Sequence, residues 1–176
     1  NLLPLSQAEI HGSEANWLDL LFDGSLPGVG TAHVGDQLKS LVLAGGFPEV
    51  LKRSTQRRQG AWLRQYIDAL INRDIRDIAT IEKIDQLSRF LRALAQVAGQ
   101  LCNYSQLGAQ VGLDYKTATR YVGILEQMYL LARVEAWSGN HLNRIVKTPK
   151  LHFIDSGLLA VACELSSAAL ARDRHR

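Results

Sequence analysis

Cysteine is scarce in this sequence: Cys102 and Cys163 are the only two, and they have no metal-ligand spacing. We therefore expect no disulfide and a reducing, cytoplasmic environment. Long apolar runs are also missing, because none approaches the roughly 18 residues that a membrane-spanning helix requires. No basic and apolar leader opens the chain, so we expect neither a secretory signal nor a membrane partner.

The sequence also lacks the usual patterns of catalytic and metal sites. Its five histidines, at positions 11, 33, 141, 152 and 175, give no ligand spacing. Neither a GxxxxGK(S/T) phosphate-binding loop nor a serine or cysteine nucleophile motif occurs. Aspartates between residues 68 and 85 alternate with arginines at helical spacing, which favours ion pairs over a carboxylate site. We expect no catalytic residue, no metal and no bound cofactor, so this stretch of chain is not an enzyme by itself.

The charge of the chain is small but unevenly distributed. Hydrophobic residues make up 47% and charged residues 21%, which is typical of a soluble globular protein. The formal net charge is +3. Residues 1–50 hold one cationic residue against six acidic ones, whereas residues 51–176 hold nineteen against eleven. A polyanionic partner should therefore contact the second part of the chain.

Residues 105–130 have the pattern of two helices joined by a tight turn. We expect Ser105 to cap the first helix, Gly112 to adopt a positive φ in the turn, and Asp114 to cap a second helix that runs to about Gln127. Apolar residues of that second helix recur at the spacing of a buried face, at Ala118, Val122, Leu125 and Tyr129. This arrangement is typical of a helix-turn-helix.

The segments around this motif are predicted to be mostly helical. Ser6 and Glu9 form a capping box, and long amphipathic helices are predicted at residues 59–78 and 86–98. Two short strands, at residues 130–137 and 150–155, would form a ribbon that makes the module winged. A last helix is predicted at residues 156–165, capped by Asp155. Residues 171–176 are too poor in apolar side chains to pack.

Basic and short polar side chains lie on the other side of the second helix and along the ribbon. Cations there could hold phosphates, and the polar side chains could reach base edges. The candidate DNA-binding residues are Tyr115, Lys116, Thr117, Thr119, Arg120, Arg144 and Lys147. The alternative is that the cations are solvated and the module makes protein contacts, through apolar groups around Tyr115, Tyr121 or Trp137. Both interpretations remain open at this point.

Five segments in a fixed order resemble a prokaryotic, archaeal-type family of AAA ATPases. Members of that family carry an N-terminal P-loop ATPase domain followed by a C-terminal domain of unknown function. The segments are PLSQAE (4–9), LVLAGGFPEVL (41–51), WLRQYIDALINRDI (62–75), LCNYSQLGAQVGLDYKTATRYVGILEQMYLL (101–131) and VKTPKLHFIDSGLLA (146–160). Together they span nearly the whole chain, and their order carries more of the likeness than any single motif.

The resemblance implies a domain organisation and further partners. Residues 1–80 would be the helical lid that follows an ATPase core, residues 81–165 a winged helix-turn-helix, and residues 166–176 a tail leading into a nuclease-like C-terminal region outside this chain. In related ATPases a Gly-x-Pro at such a place approaches the nucleotide, which implies a cofactor role for Gly46 and Pro48. ATP and Mg²⁺ would belong to the whole protein, whose P-loop core also lies outside this chain. Its partners would be DNA and its own ATPase core, with oligomers also expected.

Without the resemblance, the Gly45-Gly46-Phe47-Pro48 segment is a helix stop followed by a helix start. The predicted fold class is therefore mainly α, with a helical lid-like part and a winged helix-turn-helix that contains a small two-stranded β-ribbon. The predicted function is DNA binding by a non-catalytic piece of an AAA-type ATPase. The alternative is a protein interaction or oligomerisation module that couples to the ATPase core.

Overall fold

The computed structural model describes residues 3–12, 17–24, 33–74, 84–137 and 148–172. Within these ranges the chain is mainly helical and contains one two-stranded antiparallel sheet. The predicted fold class, mainly α with a small ribbon, is thereby confirmed. None of the helices in these ranges is long and apolar enough to span a bilayer.

The described part up to residue 74 consists of helices and a π-helical turn. They are α1 (Gln7–His11), α2 (Trp17–Phe22), α3 (Asp36–Ala44), α4 (Pro48–Leu51), α5 (Gln56–Ala69) and the π turn (Leu70–Asp74). The predicted capping box at α1 is confirmed, because the Ser6 N–H donates to Glu9 Oε2 at 2.7 Å and the Glu9 N–H donates to Ser6 Oγ at 3.2 Å. Pro48 occupies the first turn of α4, as predicted.

The second part carries the predicted motif and the sheet. Its elements are α6 (Ile84–Gln96), α7 (Tyr104–Gln110), α8 (Tyr115–Gln127), β1 (Leu131–Val134), β2 (Lys150–Phe153), α9 (Ser156–Ala162) and α10 (Ser167–Arg172). The strands pair antiparallel, with Leu131 opposite Phe153 and Val134 opposite Lys150.

Helix α6 lies at the centre of the core. Its residues Leu87, Phe90, Leu91 and Leu94, at the i, i+3, i+4 and i+7 spacing of one face, are at most 2% exposed. They belong to one cluster of buried side chains that extends from Val50 in α4 to Leu158 in α9. Helix α9 also packs on α3 and α5. The core is therefore continuous across residue 80, and the predicted division into subdomains stays a prediction.

Several predicted boundaries differ from the structure. The helix expected at residues 59–78 begins at Gln56 and changes to the π turn after Ala69, while residues 75–78 lie outside the described ranges. Asn103, not Ser105, caps α7, because its side chain accepts the Gln106 N–H at 3.1 Å. Helix α10 was not predicted; Ser166 caps it by accepting the Ala169 N–H at 3.2 Å.

The placement of Tyr129 on the buried face of the second helix is wrong. Helix α8 ends at Gln127, Tyr129 has a left-handed φ of 54°, and its side chain is 42% exposed. The Leu130 N–H donates back to the Leu125 carbonyl at 3.0 Å, which is the bond of a Schellman cap. The chain therefore turns before Tyr129 can continue the apolar stripe, and the fully buried Leu130 packs in the core instead.

Candidate functional site

The turn between α7 and α8 has the geometry that the sequence predicted. Gly112 has a φ of 75°, and the Leu113 N–H donates to the Gly108 carbonyl at 2.8 Å, which closes α7. A side chain at Gly108 would place its Cβ 2.9 Å from the Cβ of Ala118 and 3.2 Å from the Leu113 carbonyl oxygen. The two helices therefore approach each other at a position where only glycine fits. Sequence reasoning missed this residue, although a glycine inside a helical pattern was the available signal.

Asp114 fixes the start of α8. Its carboxylate accepts the Thr117 N–H at 3.0 Å and the Thr117 hydroxyl at 2.6 Å. These bonds, the hydroxyl bond first, hold the pKa of Asp114 below its usual value. The predicted cap is confirmed. However, the Thr117 hydroxyl proton is used in the cap, so Thr117 could offer only its lone pairs to a base edge.

The exposed face at the start of α8 is formed by three of the predicted residues. Tyr115 is 60% exposed, and Lys116 and Arg120 are also exposed. The face of the helix opposite Lys116 and Arg120, with Ala118, Val122 and Leu125, is buried as predicted. A rigid helix therefore presents one aromatic ring and two cations to the surroundings.

The other predicted DNA-binding residues are placed differently. The Thr119 hydroxyl is buried and has no hydrogen-bond partner among the described residues. It therefore does not reach a ligand in this arrangement. Arg144 and Lys147, which were predicted to hold phosphates, lie outside the described residues.

The first strand of the ribbon contributes less positive charge than its sequence indicates. Arg133 pairs with Glu126 of α8, with its Nη2 at 2.7 Å and its Nε at 2.8 Å from the two carboxylate oxygens. The hydrogen bond that Arg133 donates to Glu126 raises the pKa of its guanidinium above the usual value. Residues 105–137 hold three cationic and three acidic residues, so this part has no formal net charge. The helix-turn-helix and β1 therefore carry local cations in a neutral surface.

A buried carboxylate links the Gly45-Gly46 turn to α9. Asp155 is 5% exposed and accepts the Leu158 N–H at 2.8 Å, which confirms its predicted role as the cap of this helix. Its other oxygen accepts the Gly46 N–H at 2.7 Å. Burial raises the pKa of Asp155 above its usual value, although the backbone N–H bonds act in the opposite direction. Sequence reasoning missed the contact with Gly46 because 109 positions separate the two residues.

The glycines of this turn leave no space for side chains. A Cβ at Gly45, whose φ is 68°, would lie 2.3 Å from an Asp155 oxygen. The Gly46 carbonyl accepts the Leu5 N–H at 2.9 Å, and a Cβ at Gly46 would lie 2.0 Å from the Leu5 carbonyl oxygen. The Gly45-Gly46 turn therefore holds two other segments in place: Leu5, before α1, and Asp155, at the start of α9.

This packing bears on the predicted cofactor residues. Gly46 is buried, and both its N–H and its carbonyl are bonded within the protein, so in this arrangement it offers no polar group to a nucleotide. Pro48 is exposed at the first turn of α4. The residues present therefore do not fit a bound nucleotide, and the role implied for Gly46 and Pro48 in the whole protein stays a prediction. Across the described ranges, no group of three or more His, Cys, Asp or Glu side chains is arranged to hold a metal ion.

Comparison with known proteins connects the chain to longer, uncharacterized proteins. Residues 35–169 match the family described as "Domain of unknown function (DUF8612)". "Uncharacterized protein Mb2031c" of Mycobacterium bovis and "Uncharacterized protein Rv2008c" of Mycobacterium tuberculosis are each 27% identical to this chain over 135 residues. The aligned part covers 76% of this chain and 31% of each relative, so the chain spans about a third of the length of these proteins. No solved structure matches the chain significantly.

Proposed function

Given that the chain belongs to the family described as "Domain of unknown function (DUF8612)", we propose that it is the non-catalytic, DNA-binding part of a longer AAA-type ATPase. In this proposal α7 and α8 act as a helix-turn-helix, with β1 and β2 as the wing. The ordered segments quoted above support the ATPase assignment, and the aligned share of each relative leaves about two thirds of its length for a core domain.

The observation that carries the DNA-binding proposal is the exposed face at the start of α8. Lys116 and Arg120 lie there on the side opposite the buried stripe, and Tyr115 is exposed at the first position of the helix. Recognition helices contact DNA with their N-terminal residues, and cations next to that end hold the phosphates. The antiparallel ribbon follows directly after α8, in the order that a winged module requires.

We expect the double variant Lys116→Gln/Arg120→Gln to bind duplex DNA more weakly, by roughly tenfold at about 0.1 M salt, because two phosphate contacts are lost. Fluorescence anisotropy with a labelled duplex at several salt concentrations would measure this loss. The slope of log K against log salt should fall by about two. Since both side chains are exposed, the fold should be retained, and the melting temperature should fall by no more than a few degrees.

The matched control is Arg73→Gln/Arg89→Gln, which removes the same charge from exposed positions in the π turn and α6. This control should bind like the wild-type chain. Equal binding by both double variants would rule out the phosphate contacts proposed for α8.

A second function, protein interaction, is favoured by a different observation. Trp137 is 85% exposed and Val134 is 52% exposed, both on or just after β1, and residues 105–137 have no net charge. Such exposed apolar groups are typical of interaction surfaces. Of the side chains first considered for this role, Tyr121 is only 4% exposed and packs in the core. Light scattering of the wild-type chain and Trp137→Ser would test the idea, since only the wild type should then form a concentration-dependent oligomer.

A further inference from the structure

One short segment of the chain has a large excess of positive charge. Residues 49–64 hold five cationic residues, Lys52, Arg53, Arg57, Arg58 and Arg64, against the single acidic residue Glu49. Their formal net charge is therefore +4, whereas the whole chain carries +3. The other 160 residues together have a net charge of −1. The largest excess of positive charge therefore lies just after α4 and on α5, whereas residues 105–130 hold two cationic and two acidic residues.

The structure separates four of these cations into two groups. Glu49 is shared by Lys52, at 2.6 Å, and Arg53, at 3.7 Å, and Arg53 also lies over the Trp62 ring at 5.4 Å. Arg57 and Arg58, by contrast, are exposed in the first turn of α5 and form no ion pair with any described residue. Within the described ranges, the charges of Arg57 and Arg58 at the start of α5 are therefore uncompensated.

Fold stability does not explain this placement. The N-terminal end of a helix carries a partial positive charge, so acidic residues stabilise the first turn and cations oppose it. Helix α5 has no acid in its first turn, and its Thr55 cap satisfies only the Arg58 N–H, at 3.3 Å. Two arginines at this position work against the helix dipole, which favours a role in binding a negatively charged partner.

We propose that Arg57 and Arg58 form a second DNA-contacting surface, here called the α5 basic surface, which holds backbone phosphates apart from α8. The inference rests on the proposed function for the identity of its polyanion. Arginine suits this role because its planar guanidinium donates two parallel hydrogen bonds to phosphate oxygens. The α5 basic surface would supply the general attraction to the polyanion that the neutral helix-turn-helix lacks.

The test is a salt titration of duplex DNA binding with the full 176-residue chain and Arg57→Gln/Arg58→Gln. We expect binding to weaken on the order of tenfold or more at about 0.1 M salt, and the slope of log K against log salt to fall by about two. Arg73→Gln/Arg89→Gln again controls for net charge and should bind like the wild type. The melting temperature of Arg57→Gln/Arg58→Gln should stay level or rise, because two cations leave the positive end of a helix.

The outcomes separate this inference from the proposed function. If Arg57→Gln/Arg58→Gln binds like its control while Lys116→Gln/Arg120→Gln binds weakly, the α5 basic surface is refuted and the α8 proposal stands. If only the α5 variant weakens binding, the α5 basic surface stands and the α8 contacts are refuted. A wild-type chain that binds phosphatidylserine vesicles but no duplex would overturn both.

Discussion

Replacing Asp155 with alanine should lower the free energy of unfolding by roughly 2–5 kcal/mol, because two buried N–H groups would lose their acceptor. These are the N–H groups of Gly46 and Leu158, which donate to opposite oxygens of the same carboxylate. Urea denaturation of the 176-residue chain would measure the loss. We expect Asp155→Asn to be less damaging, since its amide oxygen can still cap α9.

The matched control for this prediction is Asp114→Ala. Asp114 also caps a helix, but it is exposed, so water can replace the lost acceptor. Its removal should therefore destabilise the chain much less than the removal of Asp155. If the two variants are equally stable, the link between the glycine turn and α9 contributes nothing beyond an ordinary cap.

A double-mutant cycle can show that the carboxylate and the glycine turn act together. A methyl group at Gly45 would overlap the Asp155 carboxylate, so Gly45→Ala should be strongly destabilising in the wild type. In the Asp155→Ala background the overlap with the carboxylate is absent, while the strain of a positive φ remains. The loss in the free energy of unfolding should therefore be smaller in the double variant than the sum of the two single losses.

Replacing Phe90 with alanine should lower the free energy of unfolding by about 3–5 kcal/mol, because it leaves a cavity at the centre of the core. Phe90 is fully buried on α6, in the cluster that joins α4 and α5 to the helix-turn-helix and α9. Since this cluster is continuous, the variant should still unfold in a single transition, and the midpoint of that transition should shift to lower urea concentration. A separate transition that keeps its wild-type midpoint would instead support two independently folding subdomains.

The control for this second variant is Phe22→Ala. Phe22 is 86% exposed, so its side chain buries little apolar surface and its removal costs little stability. The variant should unfold close to the wild-type midpoint. A loss at Phe22 as large as that at Phe90 would contradict the placement of the core around α6.

Local signals predicted the helices α7 and α8 and the turn between them well. Asp114, Gly112 and the stripe of Ala118, Val122 and Leu125 act over a few residues, and their caps, turns and periodicity are encoded in adjacent positions. The same local reasoning placed Asp155 at the start of α9. Such features need no knowledge of how distant segments meet.

What the sequence did not predict depends on contacts between distant segments. The Gly46 to Asp155 bond and the Arg133 to Glu126 pair both arise from packing, and each changes what Gly46 or Arg133 can offer to a ligand. The Gly46 N–H donates to Asp155 inside the protein, and the charge of Arg133 is paired with that of Glu126. Tyr129 was misplaced because a left-handed turn ended the helix at a residue that rarely adopts such a φ. The net charge of +4 at residues 49–64 was visible in the sequence. It was overlooked because charges were summed over residues 1–50 and 51–176 as wholes.

The most direct test of the DNA-binding proposal is to map the contact on the wild-type chain by NMR, following backbone amide shifts as a short duplex is added. We predict that the shifts concentrate at residues 115–120, with a second group at residues 52–58, while the buried amides of Gly46 and Leu158 stay unchanged. Shifts confined to other parts of the chain, or none with excess duplex at low salt, would contradict the proposal.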